Sequence, residues 1–458
     1  MKRLHNIRIY LKQRFDSIGN ERIRLSILQA LPFWIASICT GLVAVLYTKL
    51  FFFAEQCSHR LIEWHRWIIF IQAPLFFFIG WWVVKAWAPY SRGSGIPQVM
   101  AATQLAIAKN KHGSIRKLLS IPVAFTKIVS SMFMVAGGAA IGREGPTIQV
   151  AGSIFSTIYK YVPKNWPKLS RANMIVAGAA SGLAAAFNTP LGGIVFAVEE
   201  LSKSHISNYR TALFSGVIIA GLVAQTFLGP YLYLGYPDVS NLSPYVLLLV
   251  LLVAALGGIL GSGMTKIILT IMRWRKKLKQ NQQLLFLMGC AFGIAFLVYF
   301  VNADVMGSGK EIMMNLLFTN NKTPEAHVFP LRFIGPLLSF TTGGAGGVFA
   351  PGLTSGATLG ALVGNWFHMS DSNINLLILA GMVAFLTGIT RTPFTSAILV
   401  LEMTDRHGVI FHLMLAGLIA GLTSLIVDKK AFYDHLKHDF LNEVKQEEEA
   451  ESKARQTS

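Results

Sequence analysis

The sequence predicts an all-α, multi-span integral membrane fold made of two repeats with broken and tilted helices. Three observations carry that prediction. First, 53% of the 458 residues are hydrophobic and only 14% are charged, with a mean hydropathy of +0.50, a balance that excludes an ordinary soluble domain. Second, the long apolar runs are cut by Gly and Pro into pieces, several too short to span a bilayer alone. Third, the chain repeats itself at an offset of a little over two hundred residues.

The elements follow in order. Residues 1–27 form a basic N-terminal segment carrying Lys2, Arg3, Arg8, Lys12, Arg14, Arg22 and Arg24. Apolar runs then cover roughly 28–54, 68–88, 118–141, 145–162, 172–200 and 211–229, and these make a first membrane repeat over 28–230. Further runs over roughly 244–272, 284–301, 330–365 and 374–427 make a second repeat over 231–428. Breaks are expected at Gly93 to Pro97, Gly142 to Pro146, Pro190, Gly343 to Pro351 and Pro393. In a bilayer, interrupted backbone is tolerated only where protein buries it or where it lines a cavity. Residues 429–458 are expected to form a C-terminal helix and an acidic, solvated tail that loses order toward Ser458.

The net charge of +19 reads as loop charge that orients the protein and contacts anionic lipid, not as a nucleic-acid site. Both the N-terminal basic stretch and Arg273, Arg275, Lys276, Lys277 and Lys279 are therefore expected on the cytoplasmic side, and with them both termini. Cys39, Cys57 and Cys290 form no disulfide framework or metal spacing. The basic lead before the first apolar run does not have the form of a cleavable signal.

The repeat is legible in named residues. Ala177-Gly178, Asn188-Thr189-Pro190-Leu191 and Val198-Glu199 match Ala380-Gly381, Arg391-Thr392-Pro393-Phe394 and Leu401-Glu402 at a constant offset of 203. Gly137 to Pro146 resembles Gly343 to Pro351, and Gly93-Ser94-Gly95 recurs as Gly307-Ser308-Gly309. Paired, interrupted segments in two halves point to a transporter whose site lies where the broken helices meet. The repeat alone leaves open whether the halves are inverted.

The chemistry centres on Glu144, an acid flanked by small apolar residues and followed by Gly145-Pro146. An acid at membrane depth is costly and marks a functional site by default. Pro suits a helix start, and a helix start attracts anions. A carboxylate is itself an anion, so it competes with a halide for such a place, and protonation withdraws it. Two further helix starts, at Ser94 to Pro97 and Gly347 to Pro351, offer backbone N–H groups without a full positive charge, which favours modest, reversible binding. Glu199 aligns with Glu402 and reads as structural, whereas Glu200 aligns with Met403 and is the better candidate for a function unique to one half. Taken alone, Tyr433 reads as an interfacial anchor.

Together, Gly93-Ser94-Gly95-Ile96-Pro97, Gly142-Arg143-Glu144-Gly145-Pro146, Gly347-Val348-Phe349-Ala350-Pro351 and Tyr433 resemble the CLC chloride channel and transporter family, over nearly the whole stretch from Leu28 to Tyr433. The resemblance implies inverted halves, a homodimer with one anion path per subunit, and chloride as the bound substrate with no other cofactor. It implies that Ser94, Tyr433 and the N–H groups of Val348 and Phe349, with Gly145 beside them, hold the anion. It makes Glu144 the external gate and proton carrier and Glu200 the internal proton-transfer residue. Ser94 resembles the chloride-preferring members. Met100 stands where some bacterial members carry a further acid, so that acid's role does not transfer. The implied function is chloride–proton exchange across a bacterial inner membrane. The alternative is a passive chloride channel of the same fold, and a more distant rival is an intramembrane enzyme with Ser94 or Ser355 as nucleophile.

Overall fold

The computed structural model describes residues 20–108, 112–163, 166–201, 210–229, 232–319 and 322–457, so the basic residues before Asn20 lie outside the described residues. Among the described residues every regular element is helical, and eight helices are long and apolar enough to cross a membrane. The protein is an integral, multi-pass membrane protein.

The helices are α1 (Glu21–Trp64), α2 (Ile69–Trp87), α3 (Ile96–Ile107), α4 (His112–Leu118), α5 (Ile121–Ala136), α6 (Glu144–Tyr161), α7 (Arg171–Phe187), α8 (Pro190–Phe196) and α9 (Arg210–Leu228) in the first half. The second half holds α10 (Val246–Lys276), α11 (Gln280–Phe300), α12 (Lys310–Phe318), α13 (Val328–Phe340), α14 (Phe349–Trp366), α15 (Asp371–Thr390), α16 (Pro393–Thr404) and α17 (Ile410–Val427). A final helix, α18 (Phe432–Thr457), follows.

Every expected break is present, and each has a local cause. Helices restart at Ile96, Glu144, Pro190, Phe349 and Pro393, where Gly frees the backbone or Pro supplies the first helical position. α7 ends on Asn188 and α15 on Arg391, its counterpart at offset 203, both in the left-handed region (φ 57° and 63°). That conformation turns the chain into the Pro that opens the next helix.

Two expectations are corrected. The first helix is not a span of 28–54 but 44 residues long. At 1.5 Å per residue it measures about 66 Å against a hydrocarbon core of about 30 Å, so it carries Glu55, His59, Arg60 and Glu63 out of the lipid. The acidic stretch is not wholly solvated: within α18, Glu443, Glu447 and Glu451 pair with Arg92, Lys276 and Lys117.

The helices sort into two layers. α7, α14 and α15 are buried along nearly their whole length, and small residues let them approach closely; a Cβ on Gly356 or Gly381 would strike the facing backbone. Around them, α9, α11 and α17 bury only a third of their most apolar window and turn the rest outward.

The relative direction of the halves is also on display. Gly142 and its counterpart Gly347 form an antiparallel bridge, exchanging two N–H···O=C bonds of 2.8 Å. A residue that pairs antiparallel with its own repeat partner marks a local two-fold axis, the relation that inverted halves require. The same relation recurs at the ends of α8 and α16. Glu199, in the π-helical turn Ala197–Leu201 after α8, accepts from the N–H groups of Phe394 and Thr395 at the start of α16 (3.2 and 2.7 Å). Glu402 near the end of α16 accepts from Leu191 and Gly192 at the start of α8 (3.0 and 2.6 Å).

Candidate functional site

Three glycine-rich loops meet where the halves join. Besides the Gly142–Gly347 pair, the Gly93 N–H donates to the Gly344 carbonyl (2.8 Å) and the Gly346 N–H to the Gly93 carbonyl (3.1 Å). These bonds hold the starts of α3, α6 and α14 together, each presenting first-turn N–H groups that have no partner within their own helix. The close approach explains the glycines. Gly95 sits at φ 108°, and a Cβ there would collide with Gln149 and the Gly145 carbonyl. A Cβ on Gly145 would strike the Ser94 hydroxyl.

Glu144 has no exposed surface. Its carboxylate folds back over Gly142, where a Cβ would collide with it. The nearest donors are its own N–H and that of Ala350, first-turn groups of α6 and α14, and neither reaches full hydrogen-bond geometry. The side chain thus lies between two helix N-termini, a place suited to an anion. Arg143 turns elsewhere, to the Thr48 hydroxyl and the Ala186 carbonyl.

Below that lies a second polar point. The Ser94 and Tyr433 hydroxyls face each other, both buried, and neither meets an acceptor at hydrogen-bond geometry among the described residues. The Tyr433 ring packs on Phe349 (centroids 6.1 Å apart), beside Val348 and Phe349, which open α14. Tyr433 is therefore not the interfacial anchor that its position near the chain end suggested. A buried hydroxyl without an acceptor costs about 1–3 kcal/mol, which a bound anion would recover. The loops thus bring Ser94, Glu144, Gly145, Val348, Phe349 and Tyr433 together. Glu200 stands apart on the π-helical turn, half-buried, within electrostatic reach of Tyr433, as is Glu144. Single π-helical turns often mark functional positions; here the turn sends Glu199 to the start of α16.

The sequence reading missed the residues that hold the loops. Lys127 of α5, fully buried, donates through Nζ to the carbonyls of Gly93 (2.7 Å) and Arg92 (3.4 Å). Its counterpart at offset 205, Arg332 of α13, donates to the carbonyls of Met306 (2.7 Å) and Gly307 (3.2 Å). A lone cation inside each apolar run, repeated at the 205-residue spacing of Gly142 and Gly347, was the available signal. Gln98 and Gln149 both donate to the Tyr90 carbonyl (3.1 Å each).

The second Gly-Ser-Gly loop is built differently. The Ser308 N–H and hydroxyl donate to Glu55 (2.7 and 3.1 Å), so a carboxylate already stands where the first half offers its donors. Glu55, Arg143, Ser308 and Lys310 line a cavity of about 680 Å³. Ser355, the other serine considered as a nucleophile, directs its hydroxyl to the carbonyls of Arg332 and Pro351 (2.9 Å each).

A family model described as "Voltage gated chloride channel" matches residues 75–425. The chain is 30% identical over 412 residues to the H(+)/Cl(-) exchange transporter ClcA of Klebsiella pneumoniae (strain 342), covering 88% of this chain and 84% of that protein. It is 28% identical over 441 residues to ClcA of Cronobacter sakazakii (strain ATCC BAA-894), covering 92% of each. The fold superposes on the crystal structure of a slow cyanobacterial Cl-/H+ antiporter with a TM-score of 0.80 at 22% identity, covering 91% of this chain and 98% of that one. It superposes on a CLC-type fluoride/proton antiporter with a TM-score of 0.74 at 18% identity.

Proposed function

The chain belongs to the voltage gated chloride channel family, whose model spans most of its length, and from that premise we propose that it is a secondary active transporter exchanging chloride for protons. The observation that carries the reading is the fully buried Glu144 carboxylate lying between the N-termini of α6 and α14. Such a group fills an anion's place while ionised and vacates it when protonated, so anion entry and proton uptake are tied by competition. In the cycle, chloride is the substrate. The hydroxyls of Ser94 and Tyr433 and the first-turn N–H groups of Val348 and Phe349 hold it by dipoles alone, which keeps release fast. Protonation of Glu144 from outside frees its place for chloride. Glu200 takes the proton on the inner side, and water carries it between the two acids.

The cytoplasmic side is that of α18 and the basic end of α10, joined by the Lys276–Glu443 ion pair and carrying the positive charge expected inside. A bacterial inner membrane is the setting. The outward apolar residues of α9, α16 and α17, among them Leu222, Phe394, Phe411 and Leu418, face a second copy in a homodimer and lipid beyond it.

The test is simultaneous recording of chloride and proton flux in proteoliposomes. An imposed chloride gradient should drive protons uphill, and the reversal potential at fixed chloride should move with pH. A reversal potential that follows chloride alone would make the protein a passive channel.

A further inference from the structure

The C-terminal helix does more than supply Tyr433. We propose that Glu443 of α18 is a positioning residue for the chloride site: by pairing at once with Arg92 and Lys276 it locks the helix that carries Tyr433 to the loop that carries Ser94. The inference rests on the exchange reading, since the clamp it describes is the proposed chloride clamp.

The geometry is specific. One Glu443 oxygen takes the Arg92 guanidinium and the other takes Lys276 Nζ at 2.9 Å. The Arg92 guanidinium also lies over the Phe440 ring, 4.7 Å from its centroid, so α18 holds its side chain at two points. Its backbone carbonyl accepts from Gln98 at 2.7 Å and from Lys127 at 3.4 Å, so the loop is stiff. Ser94 lies two residues further along that loop, and Tyr433 ten residues back along α18, about 15 Å at the helical rise. The two hydroxyls that must converge on one anion are thus borne by separate elements, and the Arg92–Glu443 pair is an ion-pair link between them, beside the packing of Tyr90 on Phe440. Lys276 adds α10 of the other half. Burial alone would raise the Glu443 carboxyl, but Arg92 and Lys276 outweigh it and hold the group below its ordinary value, so the link is charged at any physiological pH.

Other contacts separate docking from positioning. Lys117 pairs with Glu447 and Glu451 at 2.9 and 2.7 Å, one to two turns beyond Glu443, so α18 stays docked when Glu443 is neutralised. The test compares E443Q and E447Q in the full-length protein by calorimetric chloride titration, with R92Q, the double variant R92Q/E443Q and the charge exchange R92E/E443R. E443Q is expected to weaken chloride binding by about fivefold, the scale of one well-placed ion pair. R92Q should do the same, and the double variant should lose little more, since both act through one link. The charge exchange should recover part of the affinity, restoring the pair with position 92 while setting a cation against Lys276, and E447Q should leave it unchanged. Equal losses in E443Q and E447Q would reduce the effect to helix docking and overturn the proposal. A wild type that binds chloride beside an unaffected E443Q would overturn it alone. A wild type that binds none would overturn the exchange reading and this inference together.

Discussion

Glu144 and the two facing hydroxyls concentrate the chemistry in three side chains. A carboxylate without exposed surface needs compensation for its charge, and here the neighbouring Arg143 and the helix ends that face it supply it. Its neutral mimic should therefore leave an anion path open while removing the proton carrier: Glu144→Gln is expected to pass chloride with no coupled proton movement. Glu200→Gln should also pass chloride without driving protons, and uphill proton pumping by that variant in liposomes would contradict the role given to Glu200. Ser94→Ala and Tyr433→Ala each remove one donor to a charged ligand, which amounts to about tenfold in affinity, read by calorimetry. Much of this was legible in the sequence, because a lone acid in a small, apolar stretch carries a desolvation cost that packing alone does not offset, and the Gly-Pro after it marks a helix start. Lys127 and Glu55 were not legible in the same way. Their partners are backbone and hydroxyl groups far along the chain, and an isolated Lys or Glu in a sequence does not disclose which carbonyl or N–H it will meet.

At the scale of elements, the breaks were readable because Gly and Pro act locally, and the structure restarts a helix at each of them. The docking of α18 was not readable. Its acidic run looks solvated in sequence, and only the fold brings Arg92, Lys117 and Lys276 against it. The reciprocal caps of α8 and α16 lie between these cases: the offset of 203 paired Glu199 with Glu402, but not with each other's helix starts. Each carboxylate satisfies two N–H groups of an N-terminal turn, a contribution of about 1–2 kcal/mol. Glu402→Gln is expected to lower the melting temperature in detergent while leaving chloride affinity intact. A loss of affinity without a loss of stability would show that the cap serves the site instead.

For the whole molecule, the two-fold relation organises everything and is then broken for function. Gly142 pairs with Gly347, Lys127 answers to Arg332, and Asn188 to Arg391. Yet the first Gly-Ser-Gly loop turns its serine toward Tyr433, while the second closes its serine on Glu55. Symmetry supplies helix starts that meet where the halves join, and asymmetry leaves one proposed anion clamp instead of two. The central claim is that halide and the Glu144 carboxylate exclude each other from one place. Anomalous diffraction from bromide-soaked crystals tests it most directly. The wild type should show bromide between Ser94 and Tyr433 and none against Gly142. Glu144→Gln should add a peak between the starts of α6 and α14, with Ser308 bare in both. A bromide peak beside an ionised, unmoved Glu144 carboxylate, or no new peak in the variant, would contradict the competition.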